Sequence, residues 1–273
     1  MPTGDLPAYD APPVIEVAVS VQFPAIEKLD PARLGLSWQK FRGEFPEVKS
    51  QPPLVRQIER FGPPAPSKVD VEIEEIPPAP RLWFLSKDGT RLIQVQRDHF
   101  VYNWRKLDTG VAYPHYDEVR AQFLQKFETF VLFLGEEGLS APQPDQVELT
   151  YVNHIPANDE SGTRAPLERY VRLWAGLSDA GELPTPESVA FQSQFAFRRG
   201  TTPLGRLYIQ VQSRIFRADT RPLYHLQLTA RGAPLGEGLG GVLSFLDEAH
   251  VWIVRAFTSV TTEEMHSVWQ RRQ

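Results

Sequence analysis

The sequence predicts an α+β protein, and three observations carry that reading. Short segments with strict two-residue alternation outnumber helical ones. Two long stretches carry apolar residues at helical spacing, and the two halves of the chain repeat the same order of elements. The stretch "RLIQVQRDHF", residues 91–100, has an echo in "RLYIQVQSRIF", residues 206–216. Each half reads strand, short helix, three-strand meander, long helix. The expected architecture is therefore two tandem β-α-β-β-β-α pseudo-repeats, residues 11–145 and 146–273, behind a flexible tail at 1–10. They would form one continuous, largely antiparallel sheet with long helices packed on one face, in the helix-grip or saddle manner.

The elements follow in order. In "VIEVAVSVQF", residues 14–23, Ile15, Val17, Val19, Val21 and Phe23 share one face and Glu16, Ser20 and Gln22 the other, as a half-buried strand requires. Asp30 followed by Pro31 opens a helix bearing Leu34, Trp38 and Phe41. Pro46, Pro52 and Pro53 stop it, and "VDVEIEEI" within 61–80 reads as a loop or edge strand between proline connectors. Strands are expected at 81–86, 91–96 and 99–105, with Asp88-Gly89 turning the first hairpin. A helix over 116–135 presents Val119, Phe123, Phe127, Phe130 and Leu134 as a stripe, and Gly138 lies past its end. The second half adds a strand at 146–155, a helix at 167–177, strands at 189–197, 206–216 and 223–230, and a helix at 242–257. Thr261 and Glu264 form a capping box for a terminal turn. The repeat extends to single residues: Glu16 and Glu148 hold the same place in their strands, as do Trp38 and Trp174 in their short helices.

Composition narrows the function. With 273 residues, 41% hydrophobic, the chain can bury a large core, and with 23% charged residues and a formal net charge of -5 it lacks the basic balance of a general nucleic-acid binder. There is no cysteine, so disulfides, thiol nucleophiles and thiolate metal sites are excluded. The start "MPTGDLPAYDAPP" has no basic segment followed by an apolar run, and the longest apolar runs are far too short to span a bilayer. A cytoplasmic protein without membrane contact is expected. The six histidines fall into no metal-ligand spacing, and there is no phosphate loop, dinucleotide fingerprint or nucleophile elbow. No cofactor or metal is expected.

The side chains left on the far face of the sheet are the functional candidates. If Ile93 and Val95 face the helices, Gln94 and Gln96 face away, and the echo places Gln210 and Gln212 likewise. The same alternation puts Gln22, Gln192, Gln194, Gln227, His154 and His225 outward. Glutamine is a poor strand former, so its density suggests a recognition surface. Asn103 and Arg105 lie near its rim, and Asn153 and His154 point to opposite faces. The leading expectation is a non-enzymatic binding module for a protein or small ligand, using Gln94, Gln96, Gln210, Gln212, Asn103, Arg105 and His154. The alternative is a hydrolase or nuclease in which Glu148 or Glu16 raises the pKa of His154 for acid–base work.

The segments "PPVIEVAVSVQFP", "RLIQVQRDHFVYNWRK", "YVNHI" and "AHVWIVRAFTSVTTEEMHSVW" resemble the uncharacterised "sporadically distributed" bacterial and archaeal protein family, over nearly the whole chain. The resemblance carries over no site residues. A patchy distribution implies an accessory role in a mobile locus, of the defence or toxin–antitoxin type.

Overall fold

The computed structural model describes residues 6–62, 80–107, 112–157, 164–175, 186–216 and 220–272. Alternation of the kind read at Val17, Val19 and Val21 builds β2 (Val14–Gln22), in which those three valines are fully buried, while Ile15, beside a register shift in the pairing with residues 146–153, is half-buried. The same pattern gives β4 (Arg81–Leu85), β5 (Arg91–Gln96) and β6 (His99–Arg105) as a meander. Gly89 sits at φ 70, and Asp88 Oδ1 accepts from Ser86 Oγ and the Thr90 amide, which fixes the β4–β5 turn. In the second half β7 (Gln146–Pro156), β8 (Ala190–Arg199), β9 (Thr202–Ile215) and β10 (Pro222–Gly232) follow. With β3 (Glu47–Gln51) they make one antiparallel nine-stranded sheet in the order β3-β4-β5-β6-β2-β7-β10-β9-β8. At its centre β2 pairs with β7, Ala18 opposite Thr150.

The helices cover one face. α1 (Pro31–Ser37) is capped by Asp30, whose side chain accepts from the Arg33 amide. α2 (His115–Glu136) buries Val119, Phe123, Phe127, Phe130 and Leu134. Phe100 of β6 meets Phe123, Phe127 and Phe130 at centroid separations of 5.3–6.3 Å, each aromatic pair worth ~1 kcal/mol beyond its buried area. α3 (Gly238–Val260) buries Val242, Phe245, Leu246, Ala249 and Ile253 and packs on β7, β9 and β10. At Gly232 a Cβ would stand 2.4 Å from the Leu204 carbonyl oxygen and 2.5 Å from the Phe245 ring, so only glycine lets β10, β9 and α3 approach this closely. The two long helices are tied together where Tyr116 and Arg120 both donate to Asp247. No helix among the described residues is long and apolar enough to cross a membrane.

The structure departs from the sequence reading at four places. Residues 8–10 do not form a tail: β1 (Ala8–Tyr9) pairs with β11 (Arg271–Arg272), and Tyr9 is buried against Phe257 and Trp269. A strand stands at 47–51, where prolines suggested only an end to the helix. Over the described residues 167–175 the expected helix is a single 3-10 turn (Leu167–Arg169), because Tyr170 is drawn onto Tyr224 and Val171 bridges to Thr261. The last helix, α4 (Glu263–Val268), is capped by Thr262, whose side chain accepts from the Met265 amide; Thr261 Oγ1 is committed to the Phe257 carbonyl and His266. The edge strand proposed within 61–80 falls largely outside the described residues.

Candidate functional site

Alternation places Gln94, Gln96, Gln210, Gln212 and His154 on the outer face, opposite the helices, together with Asn103 and Arg105. That face is not uniformly open. The irregular segment 52–61, the strap, crosses one end of it. Gln96 Nε2 donates to the Leu54 carbonyl while its Oε1 accepts from the Leu54 amide, both at 2.8 Å. Gln22 Oε1 accepts from the Gln57 amide at 2.8 Å and Gln146 Oε1 from the Glu59 amide at 2.9 Å. A carboxamide carries one acceptor and two donors, the complement of a peptide group, which is why glutamines can hold a main chain lacking a partner strand. Gln96 on β5 and Gln146 on β7 stand three strand spacings apart, roughly 14 Å. The residues from Leu54 to Glu59 span that distance only when nearly extended.

The strap ends in a buried ion cluster. Glu59, with a side chain 4% exposed, is bound by Arg206 and Tyr208 of β9, and Arg231 of β10 donates to it at 3.3 Å. Arg231 also donates to Glu148 of β7 at 2.6 Å. Arg56 is paired with Asp145, and Arg206 lies over the Phe61 ring. These contacts convert a polar surface into an interior, and they place Gln96 at 4% exposure.

Gln94 and Asn103 are buried by a different route. Gln94 Oε1 accepts from Arg81 at 2.8 Å and from Trp83 Nε1 at 3.0 Å; its Nε2 donates to Asn103 Oδ1 at 2.8 Å. Asn103 Nδ2 passes the chain on to Glu16 Oε1 at 2.6 Å. Burial raises the Glu16 pKa, opposed by that hydrogen bond and by Arg105. Arg105 itself donates to the Gly89 carbonyl. Gln94, Gln96, Asn103 and Arg105 are thus committed within the chain, which corrects the expectation of an open face here: the strap and the β4–β6 rim supply their partners.

The open part lies over β7, β10, β9 and β8. Gln210, Gln212, Gln227, His154 and His225 are half-exposed there, and Gln192 and Gln194 are exposed. Their bonds are local: Gln210 to Gln192 at 3.2 Å, Gln212 to Arg214 at 2.6 Å, Gln227 to Thr229 at 3.2 Å. His154 Nε2 lies 3.2 Å from His225 Nδ1, cross-strand neighbours in register. Desolvation and then the neighbouring His225 push the His154 pKa down to about 4, and desolvation lowers His225 too. The expected carboxylate partner is not assembled: Glu148 is held by Arg231 and Glu16 by Asn103. Among the described residues no three His, Cys, Asp or Glu side chains gather as a metal site.

Sequence reasoning missed Glu59, Gln146, Arg206, Tyr208 and Arg231. A signal was present: alternation places Arg206 and Arg231 outward on neighbouring strands with Glu148 as their one acidic neighbour on the sheet, which calls for an acid from elsewhere. Comparison with protein-family models, with curated proteins and with solved structures returned no match.

Proposed function

We propose that the protein is a non-enzymatic binding module that holds an extended polypeptide of a protein partner on the half-exposed glutamine and histidine rows of its outer face. One observation carries this reading: on the same face, glutamine side chains already hold the main chain of the strap, Gln96 in bidentate fashion. Gln210, Gln212 and Gln227 present the same groups over β9 and β10, satisfied only by local bonds that a peptide can replace. Net desolvation cost is small, because carboxamides carry no charge. His154 and His225, held neutral by burial, add ring acceptors and donors at the rim of this area.

The test is substitution of Gln210, Gln212 and Gln227 together by lysine. The side chains are half-exposed, so the unfolding free energy is expected to change by less than about 1 kcal/mol. The partner that co-purifies with the wild-type protein from its native host is expected to be lost. An unchanged partner set from a folded triple variant overturns the proposal.

We further propose that the two halves derive from one duplicated unit. The strand order β4-β5-β6-β2 mirrors β8-β9-β10-β7, and the mirror passes through the Ala18–Thr150 pair. The echo motif falls on β5 and β9, which occupy equivalent places. Each half, taken alone as one unit of the proposed helix-grip arrangement, would leave the edge of β2 or β7 bare. Residues 1–145 and 146–273 expressed separately are therefore expected to aggregate or stay unfolded. Two well-folded monomers by size-exclusion chromatography and circular dichroism would contradict a shared sheet. The resemblance to the sporadically distributed family supports, for the partner, a component of a mobile defence or toxin–antitoxin type locus.

A further inference from the structure

The helix face carries a second feature, independent of the outer face. A cavity of about 550 Å³ lies between the first turn of α2, the middle of α3, β7 and the segment before β2, within the size range of small-molecule sites. Its polar wall is a relay: Tyr113 and Tyr151 hydroxyls lie 2.8 Å apart, and the Tyr151 hydroxyl lies 3.1 Å from His250 Nδ1. Tyr116 stacks flat on His250, with centroids 4.0 Å apart and planes 4° from parallel. Val14, Ile253 and Phe257 supply apolar wall.

Two groups in this wall lack partners. Asn153 is 1% exposed, and its Nδ2 donates to the Leu226 carbonyl at 3.1 Å, which fixes Oδ1 as an acceptor; that oxygen has no hydrogen-bond partner among the described residues. A buried orphan acceptor is unfavourable until a donor reaches it. At the rim, Asp117 makes no hydrogen bond or ion pair among the described residues, yet its field acts on Tyr113, Tyr151 and His250. The cationic group of the wall, Arg272, is already taken by Asp10, and Asp247 by Arg120.

We propose that this cavity binds a small aromatic amine. The three tyrosine rings and His250 receive the planar ring, Asn153 Oδ1 accepts from a ring N–H, and Asp117 meets the ammonium group at the mouth. Aromatic walls favour a cation near their faces as well, and the unpaired carboxylate disfavours an anionic ligand of the same shape.

Isothermal titration of the full chain with tryptamine, indole and indole-3-acetate tests this. Tryptamine is expected to bind saturably at one site, with indole-3-acetate weaker by at least about tenfold, one charge-assisted contact. Asp117→Asn, a change at an exposed position, is expected to weaken tryptamine and leave indole unchanged. Asn153→Leu is expected to weaken both amine and indole about tenfold while keeping the thermal midpoint, since it removes the orphan acceptor. If Asn153→Leu lowers the midpoint, Asp117→Asn alone decides. No saturable binding of tryptamine, acetate binding as tight as amine binding, or an Asp117→Asn variant with unchanged tryptamine affinity would each overturn the proposal.

Discussion

Glu59→Ala is expected to cost about 3 kcal/mol of unfolding free energy, the range for stripping one partner from a buried ionic cluster. The carboxylate is 4% exposed and serves Arg206, Tyr208 and Arg231 at once. Its loss leaves Arg206 without its ion-pair partner, while Arg231 keeps Glu148. The sign follows from geometry: two partly exposed cations stay beside each other with one fewer anion between them. Glu59→Gln keeps a shape that can accept hydrogen bonds and is expected to cost about half as much. Urea denaturation measures the difference, and hydrogen exchange at 54–61 locates it, because the Gln57 and Glu59 amides should exchange faster when the strap lifts. A loss under about 1 kcal/mol with unchanged exchange would mean that Gln22, Gln96, Gln146 and the Arg56–Asp145 pair hold the strap without Glu59.

The second large effect is with pH. Burial lowers the His250 pKa to about 4, against weaker raising effects of Asp117 and Asp247. The folded state therefore prefers the neutral ring, while an unfolded chain takes up a proton near pH 6.5. Stability contributed by His250 is complete above about pH 6.5 and is lost progressively as pH falls toward 4, at about 1.4 kcal/mol per pH unit. His154 acts in the same window and is half-exposed, so its share is smaller. Glu16, whose pKa is raised, acts in the opposite direction. The His250→Phe variant isolates one group and keeps a ring against Tyr116. Between pH 7 and pH 4.5 the wild type is expected to lose about 2 kcal/mol more than this variant. Parallel stability profiles would show that His250 is protonated without strain in the fold.

Much of the sheet was legible because the physics that writes it is local. Val17, Val19 and Val21, or Ile93 and Val95, alternate with polar neighbours, and one buried face is all that pattern requires. Asp88-Gly89 announced its turn for a similar reason: the glycine takes a backbone angle that other residues resist. β3 left no such trace, since "EVKSQ" is exposed on both sides at the sheet edge. The strap was illegible in a deeper sense. Nothing periodic in "PPLVRQIERF" tells that Glu59 will be buried, because the reason lies in Arg206 and Arg231, far along the chain. The same non-local logic took apart the helix expected at 167–177, where Tyr170 and Val171 found partners in β10 and beyond α3. At the candidate site the facing of the glutamines could be read directly; whether each was covered could not.

The pairing of β2 with β7 also governs how fast the molecule can form. Every other neighbour pair in the large sheet joins strands from the same half of the chain, whereas this central pair brings residues 14–22 to residues 146–156. Closing so long a loop costs entropy before any contact rewards it. The rate-limiting barrier should therefore lie at this seam, so that Val19→Ala, at its centre, slows refolding while Phe195→Ala on the outermost strand mainly speeds unfolding.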